Sequence, residues 1–305
     1  MGGFVLKRLA VTVLVVLVTS IVAFSLMHLA GDPAAALAGE RASAQEIEVI
    51  RKQYGFDRPF HEQYLHWASG LLTGDFGRST YLKEPVGPLL AAHIPVTATL
   101  GVFSLLFALV LAIPLGVVAA LRPNTLVDRI ALVVAVSGQA VPSFLSALVL
   151  IYAFGVVLRW LPISGTDTLA HYILPAVALG YYAAPAVMRL TRSGMLEALE
   201  SDHVRTARAY GLPGWRVIIR HALRHAIIPV VSLAAVQFGY MLGGSVVIES
   251  IFSMNGIGNL AWLSIRRYDI AVIQAILVIV AGAYAFLTLG ADLLNAALDP
   301  RLRRR

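Results

Sequence analysis

Residues 191–229 read TRSGMLEALESDHVRTARAYGLPGWRVIIRHALRHAIIP. The stretch is basic and amphipathic, and it lies between two hydrophobic runs, residues 172–190 and 227–248. Met195, Leu196, Leu199 and Val204 form a partial stripe at helical spacing. Gly211 ends that helix, because glycine readily takes the left-handed conformation of a C-terminal cap. Pro213 suits the first turn of the next helix. There Trp215, Ile218, Ile219 and Leu223 recur at helical spacing, opposite Arg216, Arg220 and Arg224, and Pro229 stands where the following run begins. The spacing predicts two short helices joined by a tight glycine–proline turn. Such a shape can press into a groove on another protein and move as one lever.

The surrounding chain is that of a polytopic membrane protein. Of its 305 residues 58% are hydrophobic and 13% charged, with a mean hydropathy of +0.78; a soluble domain carries about 25% charged residues. Crossing the hydrocarbon takes about 20 apolar residues in a helix. Six runs qualify: residues 9–29, 96–121, 130–158, 172–190, 227–248 and 270–293. The third is long enough to be tilted or broken, and Pro142 after Ser137, Gly138 and Gln139 predicts a kink. The first follows Lys7 and Arg8, but its apolar core exceeds the ~7–15 residues of a signal peptide, so it reads as a retained anchor.

The formal charge of +7 is explained by orientation and not by nucleic acid. Basic residues cluster at Lys7, Arg8, Arg122, Arg129, Arg189–Arg224 and Arg301–Arg305, whereas the opposite short loops carry only Arg159, Arg266 and Arg267. The positive-inside rule then predicts both termini in the cytoplasm. The expected organisation is an anchor (1–30), an extracytoplasmic segment (31–95), five further spans (96–295) with a cytoplasmic loop at 191–228, and a basic tail (296–305). The external segment is helix-compatible around 44–52 and 60–72, with Trp67, Leu71 and Leu72 predicted to hold it on the outer face as a small cap.

Several chemistries are excluded or disfavoured. There is no cysteine, hence no thiolate chemistry or Cys-based metal centre. None of Lys7, Lys52 and Lys83 stands in a Gly-Lys-Ser/Thr phosphate loop, so this chain does not bind ATP in that manner. His61 and His66 are five apart and point about 140° away from each other on a helix, which prevents a shared metal. His221 and His225 have the right spacing but no third ligand. Gly243-Gly244-Ser245 precedes no histidine base, and its glycines serve close helix approach. No metal site and no cofactor of its own are expected. Burying an acidic residue at mid-membrane costs about 2.5–3.5 kcal/mol; Glu249 is read either as a gate or interhelix group or as a hydrated rim residue. Ser232, Gln237, Tyr240 and Ser245 are candidates for a pore lining or for helix–helix hydrogen bonds.

Val204-Arg205-Thr206-Ala207-Arg208-Ala209, Gly211-Leu212, His221-Ala222-Leu223-Arg224 and Ile228-Pro229 resemble the cytoplasmic signature loop of binding-protein-dependent ABC importer permeases. The version is that of dipeptide and oligopeptide transporters. Further segments resemble the same family: Gly31-Asp32-Pro33, Tyr54–Pro59, Gly74–Ser79, Pro95-Val96-Thr97, Gly243–Glu249 with Ile251-Phe252, Gly256-Ile257-Gly258 and Leu298-Asp299-Pro300-Arg301. Their order covers nearly the whole chain and suggests the first permease of a pair.

The resemblance implies an all-α permease fold of the type I importer class. It implies a homologous second permease, two ATP-binding subunits that carry ATP and magnesium, and an extracytoplasmic substrate-binding protein. It makes Arg205, Thr206, Ala207, Arg208, Gly211, Leu212, Pro213, Trp215, Arg216 and Arg220 the ATPase-coupling residues. It implies di- or oligopeptides as substrate, with nickel or another small solute as the alternative. A self-sufficient channel or secondary transporter is the reading from a different class; it is disfavoured by the lack of an internal repeat and by the sparse intramembrane charge.

Overall fold

The computed structural model describes residues 2–29, 31–39 and 42–298. The basic tail from residue 299 onward, including most of the Leu298–Arg301 motif, lies outside the described residues. Every regular element among them is helical, apart from one isolated antiparallel bridge between Arg78 and Pro85. In chain order the helices are α1 (Gly2–Leu29), α2 (Pro33–Ala38), α3 (Ala44–Gln53), α4 (Phe60–Thr73), α5 (Val86–Leu121), α6 (Leu126–Ala140), α7 (Ser143–Leu150), α8 (Ile173–Glu200), α9 (Asp202–Ala209), α10 (Gly214–Arg216), α11 (Arg224–Ile251), α12 (Ile257–Arg266) and α13 (Ile270–Leu298). A π-helical stretch, Ile151–Val157, prolongs α7, and another, Val217–Leu223, fuses α10 to α11.

Five helical stretches are long and apolar enough to cross a membrane, and a sixth crossing is available to the pair α6–α7, bent by 101°. The break falls at Val141-Pro142, where the sequence predicts a kink. The residue before a proline is pushed to extended backbone, and Val141 sits at φ −105°, ψ 128°. The pair nevertheless traverses the bundle. Ala131 and Ala135 of α6 join the cluster around Ala184, Val187 and Met188, while Ala147 and the following Ile151 and Phe154 join the cluster around Leu174 and Phe252.

Several helices outrun the apolar patterns. α5 starts at Val86 and passes through Pro95, and α8 continues to Glu200 instead of stopping near 190. A hydrophobic pattern marks only the part of a helix that needs an apolar surround, so polar extensions escape it. The helices at 44–53 and 60–73 agree with the sequence reading; α3 begins with a capping box of Ser43 and Glu46.

The centre of the bundle is the α5–α8 pair, the most extensive interface. Its seam is made of small residues: Ala108, Ala112, Gly116 and Ala119 of α5, and Gly180, Ala183 and Ala184 of α8. A Cβ added at Gly116 would lie 2.7 Å from the Thr191 side chain. Close backbone approach of this kind drives helix association where lipid removes the hydrophobic driving force. α1 packs on α13, tied by Arg8–Asp292 (3.0 Å) and by the Gln274 amide to the Ala23 carbonyl (3.3 Å). α4 packs on α1: Phe60, Tyr64 and Trp67 close around Phe24, and Ser20 meets the Tyr64 hydroxyl at 2.8 Å.

Candidate functional site: an exposed elbow and a buried carboxylate cluster

The 191–229 stretch forms an elbow between α8 and α11. Ser201, in extended backbone (ψ 154°), breaks α8 from α9. α9 buries Val204 and Ala207 and exposes its remaining face. Its end is a Schellman motif: the Gly211 amide donates to the Arg208 carbonyl (2.9 Å) and the Leu212 amide to the Ala207 carbonyl (3.3 Å). Gly211 takes φ 75°, as the sequence predicts. Leu212 then packs with Met195, Ala198, Val204, Val217 and Ala222 in a small core of the elbow's own.

One correction applies here. The helix after Pro213 is not short; α10, the π-helical stretch and α11 form one continuous rod, Gly214–Ile251, with Pro229 inside it. The stripe of Trp215, Ile218, Ile219 and Leu223 divides, with Ile218 and Leu223 half-buried. The π-helical hydrogen-bond pattern changes the phase, so Val217 and Ala222 are buried while Trp215 (61% exposed) and Ile219 (58%) face out.

Of the ten sequence-predicted coupling residues, Ala207 is buried and Leu212 half-buried; Arg205, Thr206, Arg208, Gly211, Pro213, Trp215, Arg216 and Arg220 are all exposed. With Tyr210, 82% exposed, they give a knob of aromatic and guanidinium groups, the composition enriched at binding hot spots. The knob is braced from α6. Asp128, at the start of α6, takes a bidentate pair of bonds from Arg192 of α8 (2.7 and 2.8 Å) and one from the Asn124 amide (3.0 Å). Sequence reading missed this pair, since residues 64 apart in separate helices carry no local signal.

At the other end of α11 lies a buried cluster. Glu249 is fully buried, which corrects the hydrated-rim alternative. One carboxylate oxygen accepts from the Thr97 hydroxyl of α5 (2.7 Å), and the other from the Asn259 amide of α12 (2.9 Å). Thr97 in turn accepts from the Ile257 amide (2.8 Å). The carboxylate thus sits at the start of α12, where free amides and the helix dipole favour negative charge. Gly256 and Gly258 are required by space: a Cβ at 256 would lie 2.6 Å from Thr97 Oγ1, and one at 258 would lie 2.7 Å from Val246 Cα. Three separate sequence motifs, at 95–97, 243–249 and 256–258, are therefore one packed unit.

The remaining pore candidates divide. Ser245 is buried and bonds back to the Leu242 carbonyl (3.1 Å). Ser232 and Gln237 are half-buried. Tyr240 is 55% exposed and stacks on Tyr182 of α8, ring centres 5.9 Å apart. A third buried acid, Asp269, was also missed. It accepts from the Ser79 hydroxyl and from the amides of Thr80 (3.1 Å) and Tyr81 (3.3 Å), while the Arg267 guanidinium lies 4.7 Å over the Tyr81 ring. This clamp holds the segment between α4 and α5 against the start of α13.

Comparison with known proteins agrees with this geometry. Residues 1–86 match the N-terminal part of the binding-protein-dependent transport system membrane component. The chain is 38% identical over 304 residues to the glutathione transport system permease protein GsiC of Escherichia coli strain K12, covering 99% of both chains. It has the same identity and coverage with the GsiC protein of Shigella flexneri serotype 5b. Among solved structures it superposes on the MetNI methionine ABC transporter in an inward-facing conformation, with TM-score 0.59 and 19% identity over 69% of this chain and 96% of that one. This is a likeness of fold. Residues 112–304 match the core of the same family, and the chain belongs to it: it is a binding-protein-dependent transport system inner membrane component, a permease subunit of an ABC importer and not an enzyme.

Proposed function

We propose that this permease forms half of the translocation pore for short peptides, and that the 191–228 elbow docks a separate ATPase on the cytoplasmic side. The observation that carries the reading is the elbow itself. An exposed aromatic and basic knob with its own small core runs into α11 as one helical rod and packs on the end of α8. A force applied to Trp215 therefore acts directly on the rod Gly214–Ile251, and one applied to Arg208 reaches that rod through the elbow's own core. The clustering of arginine at this end supports a cytoplasmic position under the positive-inside rule. The permease GsiC, named for glutathione, supports a peptide-like substrate. The assembly this reading requires is a second permease, two ATP-binding subunits holding ATP and magnesium, and an extracytoplasmic binding protein.

Co-purification tests the reading. The tagged chain is expected to bring an ATPase and a sister permease, and isolation of a lone functional channel would refute it. Gly211→Val is expected to uncouple ATP hydrolysis from uptake in the assembled transporter; wild-type stimulation of hydrolysis by substrate would count against the docking role.

A further inference from the structure

A cleft of about 610 Å³ opens between the first turns of α5, the α7–α8 connection and α12. Its polar walls are Glu84, His93, Asn255 and Asn259, and Leu89 and Leu263 line its apolar side. No lysine or arginine is among its lining residues. The His93 Nδ1–H donates to the Leu89 carbonyl (2.7 Å), which leaves Nε2 of the neutral ring as an acceptor. The ends of the Glu84, Asn255 and Asn259 side chains are held by no hydrogen bond from other described residues. The cleft thus offers a carboxylate and an imidazole acceptor to a cation, two amides to a group with both a donor and an acceptor, and leucines to an apolar side chain. Its volume is in the range of small-ligand sites, about 300–1,000 Å³.

We infer that this cleft receives the amino-terminal end of a short peptide, with Glu84 taking the α-ammonium and Asn255 and Asn259 the first peptide groups; the inference rests on the peptide reading above. The backbone that carries Glu84 is held in place. Glu84 ends a turn closed by the Ser79 amide on its carbonyl (2.9 Å), and that turn is fixed by the Asp269 clamp. The cleft also borders the buried cluster, since the Asn259 main chain binds Glu249 and wall residue Val96 precedes Thr97. A ligand in the cleft therefore lies against the junction of α5, α11 and α12.

The test uses the co-purified transporter in lipid nanodiscs and a tripeptide with a free amino terminus and a benzophenone side chain. After irradiation, adducts are expected in residues 82–96 and 255–263. The N-acetylated peptide is expected to label these residues about tenfold less, the loss of one charge-assisted hydrogen bond. Glu84→Gln is expected to bring the free-amine peptide down to the acetylated level. Asn259→Ala, which keeps the main-chain bond to Glu249, should also weaken labelling. Adducts elsewhere, or labelling indifferent to acetylation, would overturn the proposal; the acetylation comparison needs no variant and stands even if Glu84→Gln fails to assemble. Uptake of the free-amine peptide into proteoliposomes separates the two readings. Uptake with labelling elsewhere removes the cleft alone, and no uptake removes the peptide reading itself.

Discussion

The Thr97 hydroxyl donates to the Glu249 carboxylate at 2.7 Å, joining residues 152 apart in the chain. It is the shortest link in a cluster where α5, α11 and α12 meet. Thr97 accepts from the Ile257 amide while it donates to Glu249, so one hydroxyl serves both helices that flank the carboxylate. Thr97→Val keeps the shape and removes both bonds. A hydrogen bond to a charged group is worth about 1.5–3 kcal/mol, and a loss of that size is expected in thermal unfolding of the detergent-solubilised chain. Glu249→Gln in the Thr97→Val background should cost less than in the wild type. Strict additivity of the two would show that the residues do not act together.

Gly256→Ala tests the same junction by volume. The added methyl would meet Thr97 Oγ1 at 2.6 Å, and overpacking of a close-packed site costs about 1–3 kcal/mol. Gly243→Ala serves as the control: against the sequence expectation of a close helix approach at Gly243-Gly244, nothing lies within 4 Å of a Cβ at 243, and one at 244 meets only the Tyr240 ring of its own helix at 3.6 Å. A lowered melting temperature for the first and a near-unchanged one for the second is the expected pattern.

Arg192→Ala leaves Asp128, whose side chain is 4% exposed, without its cation. Stranding a buried charge costs about 3–5 kcal/mol. The double variant Asp128→Ala/Arg192→Ala is expected to be more stable than Arg192→Ala alone. Equal melting temperatures for all three proteins would show the pair to be solvated and without structural weight.

Asp269→Ala is expected to release the segment between α4 and α5, because three donors from residues 79–81 converge on that one carboxylate. Limited proteolysis followed by mass spectrometry should show faster cleavage between residues 74 and 85, by about tenfold for each ~1.4 kcal/mol of lost local stability. Unchanged cleavage would mean that the Arg78–Pro85 bridge and the Val86 helix start hold the segment unaided.

Gly211 separates backbone strain from side-chain loss. At φ 75° an ordinary residue costs about 1–2 kcal/mol, whereas asparagine tolerates this region. Gly211→Asn is therefore expected to melt close to the wild type and Gly211→Val well below it. A Cβ there meets nothing within 4 Å, so crowding cannot account for the difference.

What could be read from the sequence was local in origin. Apolar runs of span length mark the membrane-crossing helices, because the hydrocarbon imposes a length and an apolar surface on each segment separately. The Gly211 cap and the Pro142 break were legible for the same reason: a positive φ or a pre-proline residue acts within a few residues of chain. Helix ends such as Val86 and Glu200, and the inward turn of Val217 in place of Ile219, were not legible, since polar extensions and a π-helical phase change leave no apolar period to follow. The acids were least legible of all. Asp128 and Asp269 read alone as charges that should seek water, and Glu249 stood open between an interhelix group and a hydrated rim residue, yet each is buried against donors from a distant helix or turn. Whether a carboxylate can be taken out of water depends on the amides and hydroxyls that surround it, and only the packed bundle brings those together.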